Sequence, residues 1–296
     1  MNPVFKTFNF ITRHPLARSH KVRALNNWLS WQIRSRIREN PIEVPYVDST
    51  RLLVSRGMHG ATGNIYCGLH EFEDMAFVLH LLGPSDLFVD VGANVGAYTV
   101  LASGVCGART VAVEPVLQSA AALQANIDLN NLHGRVRLEI VALGEKAGTV
   151  RVSNSLDCTN HVLTADEATG SESVAMTTLD DLLQGEHPTL LKIDVEGFEM
   201  PVLEGSRNVL ADPALLGIII EINGSGQKYG VADTALVEKL IASGFRSYKY
   251  DPLERSLQHH SAATATGGNV LFLRNADVVR KRIGTAAQFT VLGQRI

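Results

Sequence analysis

From residue 87 onward, short apolar runs alternate with longer segments in which apolar residues recur at helical spacing. Five runs are short, apolar and bounded by turn residues, and we predict buried strands at 87–91, 110–114, 136–142, 190–194 and 216–222. Four segments between them have the length of a crossover helix, and we predict helices at 96–103, 117–130, 198–210 and 232–243. This alternation indicates an α/β fold with an open, mostly parallel sheet and helices on both faces.

Two further strands follow the parallel part of the sheet, at 245–250 and 269–273. Between them lies a polar, Ala/Thr-rich stretch at 257–268. Because binding residues are often on loops carried by a rigid scaffold, we predict a loop there that is mobile or faces the substrate.

Two hairpins are predicted outside this alternation. Residues 149–152 and 173–176, between the third and fourth strands, are flanked by Gly and Asn and indicate an inserted hairpin. We expect the insertion to shape the substrate site. Upstream, residues 51–54 and 57–66 predict a lead-in hairpin.

The first 40 residues predict an amphipathic helix that ends before Pro41. Trp28 and Trp31 lie beside a set of apolar positions at helical spacing, namely Val22, Leu25, Leu29, Ile33 and Ile37. The partner of this apolar face is left open between two interpretations. Either it packs on its own domain while the arginines face solvent, or it docks on an anionic membrane surface or a lipid-linked substrate.

Charge divides the chain into two unequal parts. Residues 1–40 hold eight Lys and Arg against Glu39 alone, a net charge of +7, although the whole chain carries −3. The remaining residues therefore carry −10, and this body should repel nucleic acid. We predict no nucleic-acid partner, and we leave open a peripheral membrane contact through residues 1–40.

Composition agrees with a folded globular protein. The chain has 296 residues, of which 45% are hydrophobic and 19% charged, which excludes collagen, coiled coil and wholesale disorder. No apolar run approaches the roughly 18 residues of a membrane span, and Lys6, Asn9 and Arg13 interrupt the stretch where a signal peptide would be apolar. The three cysteines lack metal-like spacing, as expected of reduced thiols, and we predict a cytoplasmic protein.

A glycine-rich turn follows the first strand of the alternation. Asp90 lies near the strand end, and Gly92 and Gly96 bracket the turn just before a helix. Their spacing is G-x-x-x-G, which differs from the dinucleotide pattern G-x-G-x-x-G. Glycine lets the backbone approach a ligand, and an acidic residue beside the turn suits an ammonium group better than a phosphate. An amino acid joined to a nucleoside matches this chemistry, and S-adenosylmethionine is that molecule.

The second strand ends in Glu114 and Pro115, which places a carboxylate at the edge beside the glycine turn. A carboxylate there can accept hydrogen bonds from both ribose hydroxyls. Ligands of open sheets bind at the carboxyl ends of the strands, so Asp90, the turn and Glu114 should surround one nucleoside. NAD could use Glu114 as well, and a nicotinamide-dependent oxidoreductase stays an alternative that the glycine spacing disfavours.

Carboxylates also gather at the ends of the fourth and fifth strands. Asp194, Glu196 and Glu199 stand within six residues, and Glu221 ends the next strand. Clustered carboxylates at an apolar strand end raise one another's pKa, so Asp194, Glu196 and Glu221 are our candidates for taking a proton from the acceptor. Asp194 could instead hold the cofactor amine, and Glu199 could simply open the following helix.

We predict no metal, because the ten histidines show no H-x-x-x-H or H-E-x-x-H spacing. Acids grouped in this way can nevertheless bind Mg²⁺ and lower the pKa of a hydroxyl, and we keep this as an alternative.

Four segments together resemble the FkbM-type family of S-adenosylmethionine-dependent methyltransferases: DVGANVGAYT, VAVEP, LLKIDVEGFEMPVLEG and IIIEIN. The resemblance covers residues 68–273, and the DVEGFE segment is its most specific part. It implies a seven-stranded, mostly parallel sheet with one antiparallel strand, for which 269–273 is suited. It also implies O-methylation of a hydroxyl on a sugar, glycan or polyketide-type molecule.

The resemblance adds site residues to those found from the pattern. Glu71 matches an acidic position that faces the methionine end of the cofactor, and Ala142 with Leu143 matches the segment that lines the adenine. The full set that we expect to bind the cofactor is Glu71, Asp90, Gly92, Ala93, Asn94, Gly96, Tyr98, Thr99, Glu114, Pro115, Ala142 and Leu143.

We therefore predict three parts of the chain and one reaction. Residues 1–60 are a basic helical segment with a lead-in hairpin, 61–280 the methyltransferase domain, and 281–296 a C-terminal tail. The predicted activity is S-adenosylmethionine-dependent O-methylation of a hydroxyl on a sugar, glycan, glycolipid or related small molecule. A noncatalytic, membrane-attached binding module on the same fold is a further alternative, and the oligomeric state is left open.

Overall fold

The computed structural model describes residues 3–18, 20–38, 41–154, 159–164, 167, 170–260 and 267–296. Its helices are α1 (Pro3–Arg13), α2 (Lys21–Ile37), α3 (His59–Cys67), α4 (Phe72–Leu81), α5 (Ala97–Val100), α6 (Leu117–Leu129), α7 (Leu179–Leu183), α8 (Glu199–Glu204), α9 (Arg207–Ala211), α10 (Asp233–Ala242) and α11 (Ala276–Thr285). None of these helices combines the length and the apolar character that crossing a membrane requires.

The strands belong to four sheets. They are β1 (Ile42–Pro45), β2 (Arg51–Val54), β3 (Leu87–Val91), β4 (Arg109–Val113), β5 (Val136–Glu139), β6 (Ala142–Leu143), β7 (Gly148–Ser153), β8 (Ser171–Thr177), β9 (Leu190–Ile193), β10 (Gly217–Glu221), β11 (Arg246–Asp251), β12 (Ser256–His259), β13 (Asn269–Leu273), β14 (Thr290–Val291) and β15 (Gln294–Arg295).

The central sheet has the order β12-β11-β13-β10-β9-β3-β4-β5. Strands β10, β9, β3, β4 and β5 are parallel neighbours, and β13 runs antiparallel between β10 and β11. The predicted α/β class, the parallel centre and the one antiparallel strand inside the sheet are thereby confirmed. This arrangement brings the carboxyl ends of β3, β4, β9 and β10 to one edge.

The sheet has eight strands, and the prediction of seven is wrong. The extra strand β12 lies partly in the stretch 257–268 that the sequence assigns to a loop, of which residues 261–266 are outside the described part. It pairs antiparallel with β11 at the edge, for example through Tyr250 opposite Leu257. An edge strand with one solvated face carries polar residues such as Gln258, so no apolar run marks it.

Helices cover both faces of the sheet. On one face α4, α6 and α11 pack on side chains such as Phe88 and Ile219. On the other, α7, α8, α9 and α10 pack on Val89, Leu191 and Ile218. Neighbouring residues of the same strand serve opposite cores, so the strands are buried on both sides, which explains their short, continuously apolar sequences.

The predicted helix at 198–210 is interrupted, and the structure divides it into α8 and α9. The break lies at Gly205, where the chain approaches the main chain of Gly144. A Cβ at Gly205 would lie 2.1 Å from the Gly144 carbonyl oxygen, so only glycine fits. Helical periodicity continues across such a break, which is why the pattern predicts one helix.

The inserted hairpin is present as β7 and β8, which pair antiparallel over Gly148–Ser153 and Ser171–Thr177. The predicted third strand, 136–142, is shorter in the structure because β5 ends at Glu139. Ala142 and Leu143 leave the central sheet and form β6, which pairs parallel with β8. The insertion is thus joined directly to the edge of the sheet that carries the candidate site.

A lead-in hairpin is present, but the partner of the predicted strand 51–54 precedes it in the chain. β2 pairs antiparallel with β1, whereas most of 57–66 belongs to α3. Gly63, within α3, serves close packing. A Cβ at Gly63 would lie 2.5 Å from the His70 ring, so the helix reaches His70 only because this position is glycine.

The amphipathic helix predicted before Pro41 is confirmed as α2. Its buried side chains are Ala24, Trp31 and Ser35, and of the predicted stripe Leu25 packs against the core, partly buried. The predicted stripe is exposed for the most part, with 74% of Val22, 55% of Leu29, 52% of Ile33 and 75% of Ile37 accessible to solvent. Small residues on either side of Trp31 let the helix come close with its tryptophan face, which leaves the aliphatic stripe outside.

The C-terminal segment joins the same hydrophobic core as the body. Val291 on β14 is fully buried, forms an antiparallel bridge with Val47, and is followed by the buried Ile296. The Thr290 amide also donates a hydrogen bond to Asp48 at 2.9 Å. The division into segments 1–60, 61–280 and 281–296 stays a prediction.

Candidate functional site

The glycine turn between β3 and α5 is held against two neighbouring strands. The amides of Gly92 and Ala93 both donate to the Val113 carbonyl at 3.0 Å. Gly92 has a φ of 77°, and a Cβ there would lie 1.8 Å from the carbonyl oxygen of Asp194. Glycine is therefore required at this position for two reasons, namely the left-handed backbone and the close approach of the chain after β9.

Glu114, just beyond β4, receives one hydrogen bond from the glycine turn and one from the chain that follows it. Its Oε2 accepts from the Asn94 amide and its Oε1 from the Val116 amide, each at 2.9 Å. The side chain is buried, and burial raises the pKa of this carboxyl to about 7 even though both backbone donors lower it. Ligand hydroxyls that donate to it would favour the ionised form.

Asp90 lies at the end of β3 with a free oxygen. Its Oδ2 accepts a hydrogen bond from the Thr99 hydroxyl at 2.7 Å. Its Oδ1 is buried and has no partner among the described residues, and the whole residue is only 1% exposed. Burial raises the pKa of Asp90, while Lys192 and Thr99 lower it. A buried acceptor left unpaired costs free energy, so a donor from a ligand would be stabilising here.

A buried polar cluster lies next to Asp90. Glu71 accepts from the Tyr98 hydroxyl at 2.7 Å and from the Asn269 amide at 2.9 Å. The ammonium of Lys192, on β9, donates to Asp194 at 2.8 Å and lies 4.9 Å from the centre of the Tyr98 ring. Burial lowers the pKa of Lys192, but the charges of Asp194, Glu71 and Asp90 outweigh it and raise the pKa overall.

The three candidate catalytic carboxylates converge as the sequence suggests. One oxygen each of Asp194, Glu196 and Glu221 lies within 4.8 Å of the others. Burial and the neighbouring carboxylates, Asp194 first, raise the pKa of Glu196 to about 7 and that of Glu221 to about 8. Near neutral pH these two groups therefore exchange protons readily.

The backbone around Glu196 is unusual. Glu196 has a φ of 53°, in the left-handed region that a side chain rarely adopts. Gly197 follows with a φ of 104°, and a Cβ there would lie 2.6 Å from the Ser225 carbonyl oxygen. Glu199 is buried and accepts hydrogen bonds from the Val195 and Gly197 amides, so it stabilises this turn at the start of α8. This geometry fits the alternative role of Glu199, in which it begins the following helix.

Most of the candidate site residues face one cavity of about 240 Å³ at the carboxyl edge of the sheet. Of the predicted site residues, its walls include Glu71, Asp90, Gly92, Ala93, Asn94, Tyr98, Glu114, Pro115, Ala142, Leu143, Asp194, Glu196 and Glu221. Gly96 and Thr99 do not line it. Gly96 turns the chain against Leu123, and Thr99 holds Asp90. Contacts of these residues with a cofactor stay a prediction.

The cavity also contains residues that sequence reasoning missed. Lys192 is the most important of them, and the signal was a lone lysine inside an otherwise apolar strand, which must be paired when buried. Asn160, His161 and Val162 reach the cavity from the insertion, where no motif marks them. Phe198 lines it too, and its ring packs edge-on against Tyr229 at 5.2 Å.

The residues present fit S-adenosylmethionine. The unpaired Oδ1 of Asp90 can accept from an ammonium group, and the buried carboxyl of Glu114 can accept from ribose hydroxyls. Ala142 and Leu143 line the same cavity and offer apolar surface for the adenine base. The oxygens of Asp194, Glu196 and Glu221 could also hold a divalent cation, so the predicted absence of a metal stays untested.

Comparisons with known proteins place the chain in a family. The model of the family described as "Methyltransferase FkbM domain" matches residues 90–251. A relative named Methyltransferase 1, from Beauveria bassiana (strain ARSEF 2860), is 30% identical over 186 residues, which are 54% of this chain and 74% of the relative.

Solved structures resemble the chain more weakly. An rRNA methylase from Streptococcus thermophilus is 14% identical, with a TM-score of 0.40, and the match covers 68% of this chain and 93% of the methylase. TrmK from M. capricolum, solved with S-adenosyl-homocysteine, is 11% identical with a TM-score of 0.40, and the match covers 68% of each chain. Such low similarity does not indicate what this chain acts on. The family match rests on the sequence itself, including the glycine turn and the carboxylates described above: the chain belongs to the FkbM family of S-adenosylmethionine-dependent methyltransferases.

Proposed function

We propose that this methyltransferase transfers its methyl group to a hydroxyl oxygen of a sugar, glycan, glycolipid or related small molecule. The observation that supports this most is the convergence of Asp194, Glu196 and Glu221 at the cavity, where one oxygen of each lies within 4.8 Å of the others. Burial and the neighbouring carboxylates raise the pKa of Glu196 to about 7 and that of Glu221 to about 8, which suits a base for a hydroxyl proton. Family membership favours methyl transfer over the oxidoreductase and the noncatalytic module.

The chemistry of the step leaves little for the protein to supply beyond position and proton transfer. Bound S-adenosylmethionine supplies an electrophilic methyl group on its sulfonium. The chain must then hold the acceptor oxygen in line with the breaking bond and ~3 Å from the methyl carbon, which supplies most of the acceleration. A carboxylate at the cavity removes the proton that the oxygen loses.

Glu221 is our first choice for that base. Its Oε2 is buried without a partner within the described parts of the chain, so it is free to accept a hydroxyl proton. Glu196 lies beside it in a backbone conformation that fixes its direction, and it can take the same proton or orient the hydroxyl. Lys192 donates to Asp194 at 2.8 Å and so holds this third carboxylate in place beside them.

The acceptor would enter beside the insertion. Asn160 and His161 bring polar groups to the cavity from the segment between β7 and β8, and Phe198 supplies an apolar wall. A molecule with several hydroxyls needs this combination of a flat apolar contact and polar groups at its rim. Specificity among hydroxyl acceptors would accordingly depend on the insertion.

The proposal is tested with methyl-labelled S-adenosylmethionine and separate glycan, glycolipid and peptide fractions of a cell extract. We expect label in the glycan or glycolipid fraction, in a product that resists alkali, as an ether does and an ester does not. Glu221→Gln should lower the rate about a hundredfold or more, while the exposed Glu238→Gln serves as the matched control and leaves it unchanged.

The pH profile separates a base from a structural carboxylate. Because the pKa of Glu221 is about 8, the rate of the wild-type protein should rise with pH through that value as the base becomes ionised. In Glu221→Gln the rise should disappear. Alkali-labile label, label confined to peptides, or full activity of a Glu196→Gln, Glu221→Gln double variant would contradict the proposal.

A further inference from the structure

Helix α2 presents an aliphatic stripe that nothing in the described structure covers. On an ideal helix of 3.6 residues per turn its four members fall within about 80° of arc, on the side opposite the buried Trp31. They are the exposed Val22, Leu29, Ile33 and Ile37, called the α2 stripe below. Four large aliphatic side chains exposed in one row are unusual for a solvated surface and mark an interaction site.

Positive charge surrounds the α2 stripe on both sides. Lys21, Arg23, Arg34 and Arg36 project from the same helix and are all exposed, and Arg38 follows it. Helix α2 contains no acidic residue, nor does its neighbour α1, which packs against it and exposes Phe5 and Phe8. An aliphatic row bordered by arginine and lysine matches a lipid bilayer, with acyl chains beneath anionic headgroups.

We infer that the α2 stripe docks in the surface of an anionic lipid bilayer and holds the protein there as a peripheral membrane protein. The stripe enters the boundary between headgroups and acyl chains, and the flanking cations contact lipid phosphates. Because Trp31 and Ala24 anchor the opposite side of α2 in the protein core, the helix is rigidly attached while it lies flat on the membrane.

Charge disfavours the other occupants of this face. A second copy of the chain, paired by two-fold symmetry, would bring the basic residues of one α2 against those of the other. Nucleic acid would meet the cations, but its phosphates gain nothing from four aliphatic side chains, and the body of the protein carries −10. Only the bilayer uses both the apolar and the basic parts.

The docking face is structurally connected to the cavity. Helix α2 packs on α3, where Asn27 donates a hydrogen bond to the Ile65 carbonyl at 3.3 Å. Helix α3 supplies Gly60 to the cavity wall, and His70, which lines the cavity, has its carbonyl 3.3 Å from Nε2 of His14. Docking would therefore hold the site close to the membrane surface, although the inference does not depend on the acceptor.

The test is sedimentation of the full chain with phosphatidylcholine vesicles, with and without about one third phosphatidylglycerol. We expect binding to the anionic vesicles alone, weakened by salt. The double variant Leu29→Gln, Ile33→Gln should lose roughly tenfold or more of the partition coefficient. The matched control Ile241→Gln, Leu253→Gln changes two exposed aliphatic residues elsewhere and should bind like the wild type.

A second variant, Lys21→Gln with Arg34→Gln, changes only charge and should weaken binding by a similar factor. Thermal unfolding of each variant checks that it folds. The inference is wrong if the wild-type protein does not sediment with anionic vesicles, or if both variants bind as tightly as the control. It is also wrong if light scattering shows a wild-type dimer that the Leu29→Gln, Ile33→Gln variant dissociates, because a second copy would then cover the stripe.

Discussion

At the scale of single residues, the site is built from backbone conformations that most side chains avoid. Asn94 and Glu196 adopt left-handed backbone with φ of 49° and 53°, and Gly92 and Gly197 do so beside them. Such conformations cost free energy and persist where the surrounding structure fixes them, which is common at functional sites. Here they bring two turns from different strands into contact, one carrying the Asn94 amide that donates to Glu114 and the other carrying Glu196.

Gly92→Ala should disrupt this contact. The added Cβ would lie 1.8 Å from the Asp194 carbonyl oxygen, and that oxygen belongs to main chain that cannot move without shifting the end of β9. We expect a loss of at least about 2 kcal/mol in the free energy of unfolding, measured by urea denaturation. Gly284→Ala, in α11 with open space around it, is the control and should be neutral or slightly stabilising. Equal stability of the two variants would contradict this account of the turn.

Lys192→Met should destabilise the protein in a pH-dependent way. Without the ammonium, the carboxylates of Glu71, Asp90 and Asp194 lose their shared cation, and we expect a loss of about 3 kcal/mol at pH 8. Burial already raises the pKa of Asp90 above its value in the unfolded chain, and removing the Lys192 charge should raise it further. The stability of the variant should therefore fall as pH rises through the pKa of Asp90, and the loss should be smaller at pH 5.5.

Denaturation of Lys192→Met at both pH values measures this difference, with the exposed Lys146→Met as control. A loss that is the same at both pH values would mean that Lys192 acts through packing alone.

Sequence and structure agree best on residues whose chemistry is local. Asp90, Glu114 and the acids after β9 can be placed from the strands they end, because carboxyl ends of parallel strands meet at one edge. Lys192 could not be assigned from its run of apolar neighbours, since its role depends on Asp194 after its own strand and on Asp90 and Glu71 from two other parts of the chain. Gly96 ends the predicted turn and Thr99 lies in the helix after it, yet whether a residue of this segment lines the cavity or supports it depends on packing.

At the scale of elements, periodicity predicts the buried strands. It fails for elements whose residue types are set by their position in the fold and by the elements that pack on them. β12 is polar because it is an edge strand, and α3 contains glycine because it packs closely on His70. The α2 stripe is a second case in which packing cannot be inferred from spacing alone. Its spacing predicts the helix correctly, but the side that packs is chosen by Trp31 and the small residues around it.

The C-terminal hairpin of β14 and β15 should contribute substantially to stability despite its length. Val291 is fully buried against Val47 and the Gly68 backbone region, so Val291→Ala should cost about 2 kcal/mol in the free energy of unfolding. Val278→Ala, on the exposed side of α11, should cost less than about 0.5 kcal/mol. Chemical denaturation of both variants checks the difference, and a similar small loss for both would show that the hairpin is not part of the core.

At the scale of the whole molecule, the chain combines an acidic catalytic body with a basic N-terminal segment of net charge +7. The body has the α/β fold that the sequence predicts, and its sheet brings the cofactor-binding turn and the carboxylates to one edge. The family can be inferred from the same residues. The identity of the methyl acceptor cannot be inferred from them, because the insertion that reaches the cavity through Asn160 and His161 carries no motif of its own.

The central claim is that the cavity between the glycine turn and Glu114 binds the methyl donor, and isothermal titration calorimetry with S-adenosylhomocysteine tests it most directly. At pH 7, in buffers of different ionisation heat, we expect one molecule to bind per chain with release of protons. Release is expected because hydroxyl donors favour ionised Glu114 and lower its pKa from about 7. Glu114→Gln should bind roughly tenfold more weakly and without that release. No binding heat, or binding that the Glu114 substitution leaves unchanged, would contradict the account.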